Sequence, residues 1–203
     1  GSGMGSSAAS AAAGVFAANA LLGSPLTSQQ LLPFAMEGER LACGAAHADN
    51  VAPSLLGGLV LIRSYEPLDI IPIPSPLKLY CTLMHPEIQI RTADARAILR
   101  RDIPMKLAIQ QWGNLAGLIA GFMMGDADLI SRSMHDVVVE PIRSILIPGF
   151  KQIKEAALAH GALGCSISGS GPSIFALSTD ESVAQKVGEE MQAVLAKINI
   201  KST

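Results

Sequence analysis

Residues 1–9 read Gly1-Ser2-Gly3-Met4-Gly5-Ser6-Ser7-Ala8-Ala9 and run directly into an alanine-rich segment that contains no proline. This composition predicts a helix from Ser6 to about Leu22, with Ser6 or Ser7 as its N-cap. Glycine-rich loops before a helix bind anions, most often phosphate, because loop N–H groups and the helix dipole both favour negative charge. The stretch therefore predicts a phosphate site, and a flexible tag before a capped helix is the alternative.

The loop differs from two well-known nucleotide-binding loops. No lysine follows its last glycine, as a Walker A loop requires. Its spacing also departs from the dinucleotide fingerprint, and no acidic residue lies about 20 residues further on at a strand end. No strand precedes the loop in the sequence, which indicates a fragment whose N-terminal part is missing.

The composition excludes several classes of protein. The 203 residues include 15 Lys and Arg against 17 Asp and Glu, and a net charge of -2 argues against a protein held on nucleic acid by phosphate attraction. Half of the chain (49%) is hydrophobic, which argues against disorder. The longest apolar stretches, such as Leu55–Ile62 and Leu115–Met124, fall short of the roughly 20 residues of a membrane span. The scattered Cys43, Cys81 and Cys165 fit neither a disulfide scaffold nor a zinc site and indicate a reducing, cytoplasm-like compartment.

The N-terminal third predicts two helices, a loop and two strands. Thr27-Ser28-Gln29-Gln30 has the form of a capping box and opens a second helix that ends near Gly44. The segment from Ala46 to Gly58 is rich in turn residues and predicts a loop entering a strand. Strands are predicted at Leu59–Ser64 and Leu77–Met84.

The proline-rich segment Pro72–Pro76 predicts a domain boundary, which gives domains 1–75 and 76–203. Alternation of helices and strands favours an α+β fold. Beyond the boundary the sequence predicts helices at Thr92–Leu99, Pro104–Met124, Asp126–Met134, Pro148–His160 and Asp180–Lys197, and short strands at Cys165–Ser168 and Ser173–Ser178. The long helix Pro104–Met124 is mostly apolar, so we expect both of its sides to be covered.

Two groups of polar residues follow the glycine-rich loop. Glu39 alone is typical of a solvated helix residue that pairs with Arg40, but beside a loop that handles ATP its carboxylate would suit Mg²⁺. His47-Ala48-Asp49-Asn50 places three hydrogen-bonding side chains just before a buried strand, where functional groups often lie. Asp and Asn are also common turn residues, so a plain turn is the alternative.

Further candidates lie in the second half of the chain. Thr92 and Arg96 are four residues apart on one face of a short helix, and Arg143 could supply a second cation. Two arginines together grip a carboxylate in a bidentate manner, although either alone is typical of surface charge. Ser168-Gly169-Ser170-Gly171-Pro172 is a second loop suited to phosphate, with a hairpin-like turn as the alternative.

These motifs together resemble the GHMP kinases. Gly1–Ala9 resembles the ATP-binding loop of that superfamily, and Ser168–Ser173 resembles its C-terminal glycine motif. Two glycine-rich motifs in the right order are far more specific than one. Within the superfamily, His47–Pro53 followed by Gly57-Gly58 resembles the homoserine kinase branch, as do the segments Thr92–Arg96 and Glu140–Arg143. The resemblance covers essentially the whole chain.

The resemblance implies a two-domain α+β protein with the GHMP kinase fold: the remainder of the N-terminal domain and a ferredoxin-like C-terminal domain. It implies transfer of the γ-phosphoryl group of ATP, with Mg²⁺, to the hydroxyl of L-homoserine on the route to threonine. The location would be the cytoplasm, or the plastid in a plant, with no nucleic-acid or membrane partner. The apolar helix Pro104–Met124 fits either a homodimer contact or core. A closing strand is expected after the last helix, where the chain stops.

The resemblance also assigns roles to individual residues. Gly1 to Ala9 would hold the ATP phosphates, and Ser168, Gly169, Ser170 and Gly171 form the second glycine motif. Ser7 and Glu39 would hold Mg²⁺. The substrate would be bound by His47, Arg96 and Arg143, with Asn50 near the reacting hydroxyl and Thr92 near the transferring phosphate. Asp49 is the nearest candidate for a catalytic base, and a reaction without a dedicated base stays open.

Two other functions fit the same residues. Substrates of mevalonate-pathway kinases also carry a carboxylate, so the arginines alone do not exclude that branch of the superfamily. A non-catalytic, ligand-sensing member of the same fold is the other reading. Ser7 and Glu39 argue against it, because a pure sensor need not keep a metal site.

Overall fold

The computed structural model describes residues 3–44 and 46–203, with the backbone alone for Cys43, Thr92 and Ala93. The chain divides into two units: one is Gly5–Pro74, and the other is Ser75–Thr203 together with the N-terminal residues up to Met4. In the described part of the chain, no helix is long and apolar enough to cross a membrane. Each unit has a hydrophobic core of its own.

Helix α1 (Ser6–Leu21) opens the first unit, but its cap differs from the prediction. The N-cap is Gly5 in the left-handed conformation (φ 65°), and no side chain caps the helix. The predicted caps Ser6 and Ser7 lie inside the first turn instead. A glycine adopts this positive φ at little steric cost, whereas a serine would be strained there. The first-turn N–H groups of α1 therefore donate no hydrogen bond to a cap side chain.

Helix α2 (Ser28–Cys43) confirms the predicted capping box. The Gln30 N–H donates to Thr27 Oγ1 at 3.3 Å, and the Thr27 N–H donates to Gln30 Oε1 at 2.9 Å. The helix ends at Gly44, which has a φ of 80°. Pro33 lies within the helix and does not end it.

The segment predicted as a loop contains helix α3 (Ala48–Leu56), so that prediction is wrong. His47 precedes the helix in an extended conformation, and Asp49 lies in the first turn, where the helix dipole favours a carboxylate. Val51 and Ala52 are fully buried against residues of α1 and α2. This packing outweighs the turn-forming tendency of the polar residues, because propensity is a weak guide once a face is buried.

Strands β1 (Leu59–Tyr65) and β2 (Leu68–Ile73) complete the first unit as an antiparallel ribbon, with Leu59 opposite Ile73 and Tyr65 opposite Leu68. The sequence predicted β1 but not β2, because Pro72 was read as part of a boundary. Both strands of a two-stranded ribbon are edges, so a proline that lacks an N–H is tolerated.

The second unit is built on an antiparallel sheet in the order β3-β5-β4, formed by Tyr80–Met84, Ile174–Ser178 and Gly164–Ile167. Helices α8 (Phe150–Ala159) and α9 (Glu181–Lys197) pack with this sheet. Their contact is apolar; its fully buried members are Ile153, Ala157, Cys165, Ile174, Ala176, Val187, Met191 and Leu195. The α+β class predicted from the sequence is confirmed.

Four further helices belong to the second unit: α4 (Thr92–Ala97), α5 (Met105–Met124), α6 (Ala127–Ser133) and the short α7 (Glu140–Arg143), which a 3₁₀ turn follows at Ser144–Leu146. Only α7 and the turn were not predicted. The expectation that both sides of α5 are covered is wrong, because Met105, Ile109 and Trp112 are 66%, 58% and 60% exposed. Spaced by four and three residues, they form one stripe on the helix.

The residues after α9 pair with the residues that directly follow β3. The His85 N–H donates to the Thr203 carbonyl at 2.7 Å, and the Glu87 N–H donates to the Lys201 carbonyl at 2.8 Å. Pro86 and Ser202 form the antiparallel bridge between them. Pairing thus occurs after the last helix, where a closing strand was expected.

Candidate functional site

Ser7 on α1 and Glu39 on α2 meet within the first unit. Ser7 Oγ donates a hydrogen bond to Glu39 Oε1 at 3.1 Å. The Glu39 side chain is buried, with 6% of the residue exposed, and its second oxygen, Oε2, has no hydrogen-bond partner among the described residues. A buried carboxylate oxygen without a partner carries a large desolvation cost. The pair therefore forms a place where a cation would be stabilised.

The alternative reading of Glu39, a solvated partner of Arg40, does not hold. Arg40 instead pairs with Glu37 in an exposed ion pair, with its Nε 2.8 Å from Glu37 Oε2. This contact lowers the pKa of Glu37 below its ordinary value, mainly through the hydrogen bond from Arg40. The two glutamates on one helix thus differ in environment: Glu37 faces solvent and Glu39 faces the core.

Gly5 and Asn50 are in close contact. A Cβ atom added at Gly5 would lie 2.9 Å from Asn50 Oδ1 and 3.0 Å from Asn50 Cγ, so no larger residue fits without displacing the asparagine. Helix α3 brings Asn50 to this place from its first turn, where the Asp49 carboxylate accepts a hydrogen bond from the Asn50 N–H at 3.1 Å. His47 is half-buried at the start of the same helix. The last glycine of the loop, Gly5, and Asn50 of the polar segment therefore adjoin each other.

Within the second unit, Gly3 of the first glycine-rich motif meets the second motif, although 165 positions separate Gly3 from Ser168. Ser168 Oγ donates to the carbonyl of Gly3 at 2.8 Å. Gly3 has a φ of 76°, and a Cβ there would lie only 2.4 Å from the Ser168 carbonyl oxygen. Gly169, with a φ of 57°, approaches the Gly3 carbonyl in the same way. The close approach explains why both positions are glycine.

The loop from Ser168 to Ser173 is also a turn between β4 and β5. The Ser168 N–H donates to the Ser173 carbonyl at 2.8 Å, and the Gly171 N–H donates to the Ser168 carbonyl at 2.9 Å. Ser173 is fully buried, and its hydroxyl lies 2.8 Å from His85 Nδ1. The turn reading and the functional reading of this motif are therefore compatible.

Arg143 on α7 is held by two backbone carbonyls. Its Nε donates to Ala95 O at 3.2 Å, and one terminal nitrogen donates to Gly169 O at 3.0 Å. Burial lowers the pKa of Arg143, and the nearby positive charge of Arg96 lowers that pKa further. Two like charges in one neighbourhood favour binding of an anion. The arrangement suits a carboxylate better than an isolated surface arginine would.

The remaining predicted residues fall into three groups. Gly1 and Ser2 lie outside the described residues, and of Thr92 only the backbone position at the start of α4 is described. Ala8 is fully buried in the core of the first unit, so only its backbone is available to a ligand. Met4, Ser6, Ala9 and Asp49 are exposed, while Ser170 is half-buried.

Sequence reasoning missed Asp136. Its carboxylate accepts from the N–H groups of Val138 and Val139 at 2.8 Å each, and from that of Glu140 at 3.1 Å. It thereby orders the chain that leads into α7 and Arg143. Asp136 precedes α7 by four residues and does not cap it; the local signal that could have revealed α7 is Pro141, because proline is favoured in the first turn of a helix.

No group of three or more His, Cys, Asp or Glu side chains that could hold a metal ion occurs among residues 3–44 and 46–203. A cation at Ser7 and Glu39 would thus need ligands from elsewhere. Mg²⁺ in phosphate-handling sites takes one or two carboxylates plus oxygens of the phosphates and water. The donor set of hydroxyl and carboxylate oxygens fits this ion.

Comparison with known proteins gives the family. The model described as GHMP kinases N terminal domain matches residues 1–58, and that described as GHMP kinases C terminal matches residues 115–197. The two matches together span well over half of the chain. The chain belongs to the GHMP kinases.

Particular relatives carry a more specific name. A homoserine kinase of Chlorobium phaeobacteroides is 58% identical over 203 residues, which are 99% of this chain and 63% of that protein. The crystal structure of homoserine kinase from Cytophaga hutchinsonii is 60% identical with a TM-score of 0.98, covering 100% of this chain and 64% of that one. The chain thus spans less than two thirds of the length of these relatives. Both relatives are bacterial, so nothing supports the plastid location.

A mevalonate kinase from L. major, solved in complex with R-mevalonate, has a TM-score of 0.77 but only 18% identity. The superposition covers 100% of this chain and 65% of the mevalonate kinase. At this identity the likeness shows the shared fold alone. The likeness is therefore no argument that this chain acts on mevalonate.

Proposed function

We propose that the full-length protein carrying this sequence is a homoserine kinase that phosphorylates the hydroxyl of L-homoserine with ATP in threonine biosynthesis. The observation that carries the proposal is the buried Glu39 carboxylate, which is hydrogen-bonded to Ser7 and has one oxygen without a partner. It lies beside the first turn of a helix that follows a glycine-rich loop. Relatives of that name at 58% and 60% identity support the choice of substrate. A cytoplasmic location belongs to the same proposal.

The nucleotide would be held by the glycine-rich loop and the start of α1. Gly5 in the left-handed conformation leaves the first-turn N–H groups without a cap side chain, and the positive end of the helix dipole adds to their attraction for phosphate. Residues 3–9 would hold the phosphates chiefly through the backbone. Phosphoryl transfer depends mainly on alignment and on neutralised charge, which such a cradle supplies.

Ser7 and Glu39 would hold Mg²⁺ together with phosphate oxygens. When bound, this ion neutralises charge on the β- and γ-phosphates. Glu39 suits the role because its burial keeps water from competing for the carboxylate. Ser7 orients that carboxylate through its hydrogen bond.

The amino-acid substrate would be bound by Arg96, Arg143 and His47. The two arginines would grip the carboxylate, and the fixed guanidinium of Arg143 loses little entropy on binding because two carbonyls already hold it. Asn50 would lie near the reacting hydroxyl, and Thr92 near the transferring phosphate. This assignment rests on the family resemblance of those segments.

Whether a side chain removes the proton is tested by Asp49→Asn. The Asp49 side chain accepts from the neighbouring Asn50 N–H, and the asparagine variant keeps an acceptor there. A loss of several orders of magnitude in kcat would assign Asp49 as the base. A loss of less than about tenfold would support transfer without a dedicated base.

The proposed function is tested by incubating the full-length protein with ATP, Mg²⁺ and a panel of acceptors: L-homoserine, mevalonate, phosphomevalonate, galactose and L-threonine. Product is identified by ³¹P NMR and mass spectrometry. We expect O-phospho-L-homoserine with a kcat/KM at least about 100-fold above that for any other acceptor. Preference for mevalonate, or binding of ATP with no phosphorylated product, would contradict the proposal.

A further inference from the structure

Glu140, Lys154 and Ser166 form a polar cluster inside the second unit that the proposed function does not use. The Glu140 carboxylate pairs through Oε1 with Lys154 Nζ and accepts through Oε2 a hydrogen bond from Ser166 Oγ at 2.7 Å. The side chains of Lys154 and Glu140 are only 17% and 12% exposed. Two charges that are buried to this extent lose hydration, which costs free energy. Apolar residues of similar volume at the same positions often stabilise a fold at least as well as such an ion pair. The cluster therefore calls for a role beyond stability.

The place of Glu140 in the fold indicates that role. Glu140 is the first residue of α7, a helix of four residues that ends at Arg143. A single helical turn is not stable by itself, so contacts at its start decide where its end points. Lys154 lies on α8 and Ser166 on β4, both of which belong to the packed core of the unit. The Glu140 side chain thus fixes the start of α7 to two rigid elements.

The backbone of the same segment is also fixed. Asp136 accepts hydrogen bonds from three successive N–H groups that end at Glu140, and the Arg143 N–H donates to Val139 O at 3.0 Å. At the far end, the guanidinium is held by the carbonyls of Ala95 and Gly169. Among the described residues, no carboxylate lies within ion-pair distance of Arg143, although the more distant negative charge of Asp136 partly opposes the lowering of its pKa. The guanidinium is therefore held in place by carbonyls and not by a direct ion pair.

We propose that Glu140, Lys154 and Ser166 are positioning residues for Arg143, keeping its guanidinium aligned for the carboxylate of the substrate; this rests on the function proposed above. Because the Glu140 charge is balanced by Lys154, Glu140 does not compete with the substrate for Arg143. The cluster acts through α7 and does not touch the substrate. It thereby affects binding of the carboxylate and not binding of the nucleotide.

The test is Lys154→Met in the full-length protein, which leaves Glu140 without its cation. We expect the KM for homoserine to rise at least about tenfold while kcat and the KM for ATP change less than about threefold. Lys154→Arg, which restores the charge, should return the KM for homoserine to within about threefold of the original value. Lys186→Met is the matched control, because Lys186 forms an exposed ion pair with Glu190 in the same unit. It should change neither KM.

Two further measurements separate positioning from plain stability and from failure of the proposed function. If Lys154→Met does not fold, Ser166→Ala removes one hydrogen bond and should raise the KM for homoserine by about two- to fivefold. The Nε–H proton of Arg143 is observed by ¹⁵N-edited NMR and assigned by its absence in Arg143→Lys. This proton should exchange with water several-fold faster in either folded variant. The measurement does not depend on homoserine being the substrate. Absence of phosphohomoserine from the unmodified protein would reject the proposed function alone. The positioning role would be overturned if, in a folded variant, the ratio of the KM for homoserine to the KM for ATP were unchanged. An unchanged exchange rate of the Arg143 Nε–H would overturn it as well.

Discussion

The hydroxyl of Ser168 donates to the carbonyl of Gly3 at 2.8 Å and thereby joins two glycine-rich motifs that lie 165 positions apart. The neighbouring Gly169 offers its own carbonyl to Arg143, whose Nε reaches Ala95 just before Arg96 on α4. Two consecutive residues of the second motif thus contact different partners: Ser168 contacts Gly3 of the first glycine-rich motif, and Gly169 contacts Arg143. A change at this point should affect the first motif directly.

Removal of the Ser168 hydroxyl tests that link. In Ser168→Ala the Gly3 carbonyl loses its donor, and a hydrogen bond that contributes about 1 kcal/mol to the stability of the loop conformation is lost. The KM for ATP should therefore rise about three- to tenfold. Steady-state kinetics at saturating homoserine measures the effect. Ser10→Ala is the control, since its exposed hydroxyl also donates to a backbone carbonyl, that of Ser6, at 3.1 Å. Equal KM values for ATP in the two variants would show that the link has no role.

The cap position of α1 should not tolerate a side chain. In Gly5→Ala a methyl group would lie 2.9 Å from Asn50 Oδ1 at a φ of 65°, so Asn50 must move and the loop is strained. We expect kcat/KM to fall at least about 100-fold and the free energy of unfolding to fall by about 1–2 kcal/mol.

Gly14 on the same helix is the matched control for Gly5. A Cβ at Gly14 meets no atom within 4 Å, so Gly14→Ala should raise the free energy of unfolding by about 0.5–1 kcal/mol. Chemical denaturation measures both changes. A Gly5→Ala variant as stable and active as Gly14→Ala would contradict the assigned geometry.

Arg96 should contribute to binding of the substrate carboxylate. In Arg96→Ala half of the proposed carboxylate clamp is lost, so the KM for homoserine should rise at least about 30-fold and that for ATP by less than about threefold. The exposed Arg91, paired with Asp94 at 2.8 Å on the same helix start, offers the control Arg91→Ala. An equal rise in both KM values for Arg96→Ala would argue against a role in the clamp.

Cys165 should resist alkylation in the folded protein. Burial raises the pKa of its thiol to about 12, with a smaller raising effect from Glu140 and an opposing effect from Lys154. Because only the thiolate reacts, about 1 in 10,000 thiols is reactive at pH 8, and burial also blocks access. Iodoacetamide at pH 8 followed by peptide mass spectrometry should label Cys165 only after unfolding. Complete labelling of Cys165 in the native protein within minutes would contradict this environment.

Local signals in the sequence predicted part of this structure well. The capping box at Thr27 and Gln30 and the Asp126 and Asp180 starts of α6 and α9 depend on side-chain to backbone bonds within three residues, which spacing alone reveals. Helix α3 was missed because burial of Val51 and Ala52 outweighs local turn signals. Strand β2 was not predicted because its Pro72 indicates a boundary, and only the pairing with β1 shows that an edge strand tolerates this proline.

In the candidate site, too, local sequence signals and contacts made by tertiary packing must be distinguished. The spacing of Ser7 and Glu39 carries no sign of their contact; the resemblance to a family suggested the pair, and the fold brings it together. The cluster of Glu140, Lys154 and Ser166 had no signal at all, because its members come from three elements of the second unit. Contacts of this kind depend on tertiary packing and not on local patterns.

Titration of Mg²⁺ against activity distinguishes the proposed cation site at Ser7 and Glu39 from a purely structural pair. Glu39→Gln keeps the shape and the hydrogen bond from Ser7 but removes the charge. Glu37→Gln, two residues away and exposed, is the control. We predict that Glu39→Gln raises the Mg²⁺ concentration for half-maximal activity at least about tenfold and lowers kcat at least about 100-fold, with Glu37→Gln unchanged. Identical Mg²⁺ dependence in Glu39→Gln and the unmodified protein would contradict a cation site at Ser7 and Glu39.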